Sequence, residues 1–269
     1  MRRTGILLYL LILPAALCFP QRRGDKALAS DEEIQAQSLE QYVHFLSGSR
    51  LLDSATNKDA EMVHKVAEKV FNAVRTYYGR KKQSIVLRNL SWDIDLINKK
   101  DVNAFCLPGV RIVVGTGMLD WAQNEGSLAV VLAHEIAHTL LGHGEQRLRT
   151  ALQEQLGGKR MSELLQTRPA DIRDVFMASF GAGNIVGLLP PYSPEDEKEA
   201  DRLGMIFTGL AGYNPRESIV FWERMDRLSR GPRQPVLMSA HPYADERNSA
   251  MQEAVDEIVK TWYKQPGKS

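Results

Sequence analysis

The stretch LAVVLAHEIAHTLL, residues 128–141, is an apolar run interrupted by His134, Glu135 and His138. Its length and composition predict a buried helix, on which residues four apart share a face. His134 and His138 can therefore direct two imidazole nitrogens at one zinc ion. Glu135 lies one residue round from the first histidine, so it can take a proton from a water molecule beside the ion without binding the ion itself.

The alternative is an ordinary buried helix whose two histidines are hydrogen-bonded to their neighbours. Burying two histidines and a glutamate is costly unless each has a polar partner or a metal ion. The motif in this apolar setting therefore favours a zinc site. Because a catalytic zinc needs three protein ligands and one open position, a third ligand must come from another element.

The segment SPEDEKEADRLG, residues 193–204, offers candidates for that ligand. Ser193 and Pro194 have the pattern of an N-cap and a first helical residue, so a helix is predicted to start here. Glu197 and Asp201 are four residues apart and share a face of it. Acidic residues are also common at helix N-termini as solvated side chains, and the spacing alone does not separate the two interpretations.

Together these residues resemble the HtpX/BepA-type gluzincin family, which includes the CaaX prenyl proteases and the mitochondrial Oma peptidases. Four segments carry the resemblance, in the family's order: residues 102–119 with NAFCLPGV, 134–138 with HEIAH, 197–201 with ExxAD, and 239–247 with SAHPYADER. Four ordered motifs are far more specific than the zinc motif alone. Cys106 stands where alanine is usual, and Val110 stands where a second glycine is usual and could narrow the loop before the next strand.

The resemblance implies a role for each motif. Glu197 is the third zinc ligand, and Asp201 orients a ligand histidine. His241 faces the zinc, where it either donates to the oxyanion of the tetrahedral intermediate or occupies the open zinc position in a latent state. Arg247 ties the loop of His241 to an acidic group. Asn103–Ala104 lies on a sheet edge that holds an extended peptide substrate.

The first residues have the pattern of a secretory signal. Three basic or polar residues after Met1 precede an apolar segment at 5–17 that is too short to span a bilayer comfortably. We expect residues 1–18 to be a signal peptide and the protein to be exported, to the periplasm or the cell envelope. The residues before Cys18 resemble a lipobox, which would make Cys18 a lipidated membrane anchor, although Leu17 is large for that motif. Simple cleavage after Cys18 or near Ala29, or retention of the segment as a short uncleaved anchor, also fits this pattern.

Periodicity predicts the remaining architecture. Helices are expected at Asp31–Leu52, Asp59–Tyr78, Leu128–Leu156, Ala170–Val186, Pro194–Leu210, Pro215–Ser229 and Asp245–Trp262. Short β-rich runs at 93–97, 104–106 and 111–114 predict strands, although composition alone does not distinguish a substrate-binding edge from a plain hairpin. We therefore predict an α+β fold over residues 31–265: a mostly helical zincin-type metalloprotease domain with a small antiparallel sheet over the zinc-binding helix. Residues 157–191 form either a flap over the cleft or a loosely packed helical hairpin.

Charge and cysteine content give no support for a nucleic-acid-binding protein or for a disulfide-stabilised one. The net charge of +1 gives no reason to expect a nucleic-acid partner. Two cysteines provide no disulfide framework. His143 falls off the ligand face and is predicted to be an ordinary helix-end residue, and His44 and His64 ordinary helix positions.

The predicted function is that of a zinc-dependent endopeptidase with one zinc ion per chain, acting on unfolded or misassembled proteins in envelope quality control. Glu135 is the predicted general base, with His241 as a second catalytic residue. The alternative is an envelope assembly factor or chaperone whose zinc site is latent or mainly structural. Glu135 favours the enzyme, because a structural zinc site needs no general base.

Overall fold

The computed structural model describes residues 28–182, 188–230 and 235–264, so the predicted signal peptide at 1–18 and Cys18 lie outside the described residues. The α+β prediction is confirmed, since helices dominate and one small sheet is present. The helices are α1 (Asp31–Ser47), α2 (Lys58–Arg80), α3 (Thr116–Ala122), α4 (Glu125–Leu141), α5 (His143–Glu154), α6 (Met161–Thr167), α7 (Pro169–Ser179), α8 (Pro194–Leu210), α9 (Glu217–Ser229), α10 (Val236–Ala240) and α11 (Asp245–Trp262), with a 3-10 turn at Ser84–Leu87. Within this part of the chain, no helix has the length and apolar character needed to cross a membrane.

Helix α4 is the centre of the molecule. Asn124 caps its N-terminus by accepting a hydrogen bond from the backbone N–H of Ser127, and every residue from 127 to 138 is buried. The helix ends at Gly142, whose φ of 77° is the left-handed conformation that terminates helices. The prediction of a single helix over Leu128–Leu156 is therefore wrong, because this glycine turns the chain and α5 begins at His143.

Helix α8 crosses α4 at close range. A Cβ atom on Gly204 would lie 3.2 Å from the Cα of His134, so the absence of a side chain lets the two backbones approach there. The N-terminus of α8 is fixed by a capping box between Ser193 and Asp196. The close crossing brings the acidic first turns of α8 onto the histidine face of α4.

The sheet contains β1 (Asp93–Ile97), β2 (Ala104–Leu107) and β3 (Arg111–Gly115) in the order β1-β3-β2. β2 and β3 form an antiparallel hairpin, but β1 pairs with β3 in parallel. The predicted antiparallel sheet is therefore wrong in that detail, and the sheet is mixed. The chain reverses direction between β1 and β2 and again at the β2–β3 hairpin, so β3 runs parallel to β1, which pairs with its free side.

The turn of the β2–β3 hairpin contains two residues with left-handed backbone. Both Gly109 (φ 88°) and Val110 (φ 58°) adopt left-handed backbone, which is unfavourable for a β-branched residue. The Val110 side chain is fully buried in the main core, which offsets that cost.

The remaining helices differ from prediction mainly at their ends. α1 stops at Ser47 rather than Leu52, and α7 stops at Ser179 rather than Val186, shortly before Gly181 with a φ of 70°. The described part of segment 157–191 is helical rather than an open flap, since α6 and α7 pack with α5 in a second apolar cluster. Residues 183–187 lie outside the described residues.

Candidate active site

Four buried side chains from three elements converge on one point: His134 and His138 from α4, Glu197 from α8, and His241 directly after α10. One ligand atom from each lies within 4.8 Å of the others. The Nε2 atoms of His134 and His138 are 3.0 Å apart. Glu197 Oε1 is 3.4 Å from His138 Nε2 and 2.8 Å from His241 Nδ1, and Glu197 Oε2 is 3.5 Å from His134 Nε2.

These distances match the edges of a zinc tetrahedron. Ligand atoms about 2.0–2.1 Å from a tetrahedral zinc ion lie ~3.3 Å from one another. Three imidazole nitrogens and one carboxylate oxygen are also the donors that zinc prefers in proteins. The residues present therefore fit a zinc ion, although their roles as ligands stay a prediction.

The protonation of His134 supports the same conclusion. Its Nδ1 is 3.0 Å from Asp201 Oδ1, and a carboxylate can only accept, so a neutral His134 holds its proton at Nδ1 and presents a lone pair at Nε2. That lone pair faces the Glu197 carboxylate, and either a proton or a metal ion between them would offset the repulsion. Burial lowers the pKa of His134, but hydrogen bonds to Asp201 and Glu197 and their charges raise it to about 9. The site therefore attracts positive charge.

Glu135 is buried beside this cluster rather than within it. Its Oε1 lies 3.3 Å from His241 Nε2. Burial raises the pKa of Glu135, against the lowering effect of His241 and His134. A raised pKa brings a carboxylate closer to the pH range in which a general base works efficiently.

Arg247 links the cluster to its surroundings. The side chain is 2% exposed and binds Asp201 through two nitrogens, of which Nη2 is 2.8 Å from Oδ1. Its Nη1 is 2.7 Å from Glu197 Oε2 and 3.3 Å from the carbonyl oxygen of Pro242. The acidic group expected near Arg247 is thus a pair of carboxylates. Burial acts to raise the pKa of Glu197, but Arg247 and the histidines hold it well below its usual value.

Replacing Arg247 with Met should lower the free energy of unfolding by about 3–5 kcal/mol, because two buried carboxylates lose their counter-charge. The measurement is denaturant unfolding with a zinc chelator present, so that metal binding does not contribute to stability. Arg216→Met is the matched control, since Arg216 pairs with Asp256 at the surface, where such a pair contributes about 0–1 kcal/mol. Equal losses in the two variants would contradict this account.

His241 lies in the short connection between α10 and α11, outside both helices. It follows the last residue of the one-turn helix α10, and its backbone N–H donates to the carbonyl of Leu237 at 3.0 Å. Residues 231–234, before this turn, lie outside the described residues.

Asn103–Ala104 lies at the start of β2, the edge strand next to α4. Ala104 pairs only with Val114 in the described sheet, but the edge is partly covered. The Leu237 N–H of α10 donates to the Val102 carbonyl at 3.2 Å, and Asn103 Nδ2 donates to the carbonyl of Gly181 at 3.3 Å. A peptide added along this edge would have to displace these contacts, and the substrate role of Asn103 and Ala104 stays a prediction.

Two residues that contact the cluster are not predicted from the sequence as part of the site. His143 is buried, with Nδ1 2.9 Å from His138 Nδ1, so it is not an ordinary helix-end residue. The glycine at 142 was the available signal, since it redirects the chain and returns His143 toward α4. Tyr192 stacks on the His138 ring at a centroid distance of 4.1 Å, and no pattern in the sequence pointed to it.

Comparison with known proteins adds independent support. Residues 57–255 match the sequence profile of peptidase family M48. The chain is 30% identical to mitochondrial metalloendopeptidase OMA1 of Arabidopsis thaliana over 168 residues, 62% of this chain and 32% of that protein. Identity is 28% to metalloendopeptidase OMA1 of Bos taurus over 215 residues, 77% of this chain and 40% of the relative.

A third similar protein is the beta-barrel assembly-enhancing protease of Escherichia coli, 29% identical over 167 residues, which are 58% of this chain and 34% of that protein. The matched part of the chain thus spans about a third to two fifths of the length of these three relatives. The match to the family covers the helices and strands that carry His134, His138, Glu197 and His241.

Proposed function

The chain belongs to peptidase family M48, and we propose that it is a zinc-dependent endopeptidase whose zinc ligands are His134, His138 and Glu197. The observation that carries this proposal is the convergence of these three donors, with Glu135 beside them, in one buried cluster. Metalloendopeptidases among the relatives support the reaction type. A zinc ion bound here would polarise the scissile carbonyl and acidify a neighbouring water molecule.

The chain's own residues supply the proton transfers. Glu135 takes a proton from the water whose oxygen bonds to the carbonyl carbon, and then delivers it to the amide nitrogen as the C–N bond breaks. Asp201 accepts the Nδ1–H of His134 and keeps its Nε2 directed at the cluster. Arg247 holds both Asp201 and Glu197 in place. The edge at Asn103–Ala104 would hold the substrate backbone in an extended form.

We propose that His241 is a latch in the resting protein. Its Nδ1 is 2.8 Å from Glu197 and 3.2 Å from His134 Nε2, so it takes the corner of the donor set that an active site leaves open. Its Nε2 also engages Glu135. Both contacts oppose hydrolysis, and both are released if α10 moves away from Val102.

His241→Ala should therefore raise the basal rate of casein cleavage while the protein keeps its zinc, because three ligands remain. His64→Ala, at an exposed position of α2, is the matched control and should leave the rate unchanged. The measurement is the release of new amino groups from casein, together with zinc content. A loss of ~10²–10³ in rate would instead assign His241 to oxyanion stabilisation and overturn the latch.

A second candidate function is a chaperone or assembly factor with a structural zinc site. The specific observation in its favour is that the cluster contains four protein donors. Structural zinc sites have four protein ligands and leave no position open for water. The position of Glu135 favours the peptidase. Suppression of casein aggregation that survives Glu135→Gln, with no cleavage in any variant, would favour the chaperone.

We propose unfolded or misassembled proteins as substrates, and export to the cell envelope, with residues 1–18 as signal and residues 31–265 as the peptidase domain. Similarity to the beta-barrel assembly-enhancing protease of Escherichia coli supports an envelope role, whereas similarity to mitochondrial relatives leaves the compartment to be measured. Mass spectrometry of the mature N-terminus distinguishes simple cleavage from lipidation at Cys18.

A further inference from the structure

We propose that His143 is a positioning residue that fixes the proton and the orientation of His138. The inference rests on the proposed zinc site and adds a residue that the His-Glu-x-x-His motif does not contain. His143 is the first residue of α5, directly after the turn at Gly142, and its side chain is 3% exposed. The turn folds His143 back so that its ring lies 4.9 Å from the ring of His138.

The contact between the two rings permits one arrangement of protons. His138 directs Nε2 at His134 and Glu197, so it must offer a lone pair there to bind zinc. A neutral His138 then carries its proton on Nδ1, which is 2.9 Å from His143 Nδ1. His143 Nδ1 must accept that hydrogen bond, so the proton of neutral His143 is on Nε2.

The Nε2 atom of His143, on the side of the ring away from His138, faces carboxylate oxygens, which suit a proton on Nε2. Its Nε2 is 3.4 Å from Glu199 Oε2 and 3.6 Å from Asp196 Oδ1. Both carboxylates belong to the first turns of α8, the helix that also provides Glu197. A chain of hydrogen bonds therefore runs from α8 through His143 to His138.

The two histidines of the motif thus have different supports. At Nδ1 the two rings differ: His134 Nδ1 is 3.0 Å from the carboxylate of Asp201, whereas His138 Nδ1 contacts a second imidazole, that of His143, which in turn contacts Glu199. Partners of this kind set the tautomer and ring orientation of a metal-binding histidine, and their loss typically weakens metal binding about 10- to 100-fold. His143 is placed to contribute on that scale.

The test compares zinc affinities of the full chain, measured by competition with a chromophoric chelator. His143→Leu fills similar space without an acceptor and should weaken zinc binding about 10- to 100-fold. His143→Asn places an amide oxygen near the position of Nδ1 and should bind zinc within about tenfold of wild type, more tightly than His143→Leu. Tyr192→Phe is the packing control, because it keeps the ring on His138 and loses only a hydroxyl that donates to Ser179, and its zinc affinity should be unchanged.

Long-range ¹H–¹⁵N spectra of the zinc-loaded wild-type chain provide a readout that folding defects in a variant cannot affect. The expected spectrum has the His138 proton on Nδ1 and the His143 proton on Nε2. A His143 proton on Nδ1, or wild-type zinc affinity in His143→Leu, would overturn the proposal. A wild-type chain that binds no zinc would refute the proposed function itself, which separates the two failures.

Discussion

Replacing Glu135 with Gln should reduce casein cleavage by ~10²–10⁴ while leaving zinc content and fold unchanged. Gln has the shape of Glu but cannot take the proton from water. Glu135 is 3% exposed and lies outside the donor set, so its substitution removes no proposed ligand. The rate is best measured in both the wild-type and the His241→Ala background, since the latch would lower the basal rate of the former.

The matched control is Glu61→Gln, which makes the same chemical change at an exposed position of α2 and should keep the full rate. Circular dichroism and zinc content establish that each variant is folded and loaded. Retention of more than about a tenth of wild-type activity by Glu135→Gln would remove this residue from the role of general base.

Glu197→Ala should release zinc, or weaken its binding by orders of magnitude, because the third proposed ligand is lost and Arg247 loses one of its two buried carboxylate partners. Glu195→Ala and Glu199→Ala should retain the metal. Glu199 contacts the cluster through His143, and the carboxylate of Asp196, 3.6 Å from His143 Nε2, would remain as a second negative charge there. Asp201→Ala should cost less than Glu197→Ala, on the order of 10- to 100-fold in affinity or activity.

Metal content after dialysis, measured beside the unfolding midpoint of each variant, distinguishes metal loss from unfolding. The assignment of α8 would be wrong if Glu199→Ala lost its zinc and Glu197→Ala kept it. That outcome would mean that a different face of α8 meets the cluster. The contact between Asp201 and His134 would then have to be reassigned as well.

The features of the fold and of the site that can be predicted from the sequence depend on local periodicity. The spacing of His134 and His138 follows from 3.6 residues per turn, and Ser193 with Pro194 marks the start of the helix that brings Glu197 to them. The burial of α4 follows from its unbroken apolar composition. These features need no knowledge of distant contacts.

The incorrect predictions concern features that depend on contacts between residues distant in the sequence. The parallel pairing of β1 with β3 depends on which strand of the hairpin β1 joins, and strand composition does not encode it. His143 lies at a helix end, as predicted, but its contact with His138 depends on the left-handed turn at Gly142, which helical periodicity does not predict.

The most direct test of the zinc-dependent mechanism is a titration of the metal-free chain with zinc, following casein cleavage in the His241→Ala and wild-type proteins. We predict that chelated protein is inactive, that the rate rises in proportion to added zinc, and that it stops rising at one zinc ion per chain. Cleavage that continues undiminished in the metal-free chain, or that shows no break at one equivalent, would contradict a single catalytic zinc held by His134, His138 and Glu197.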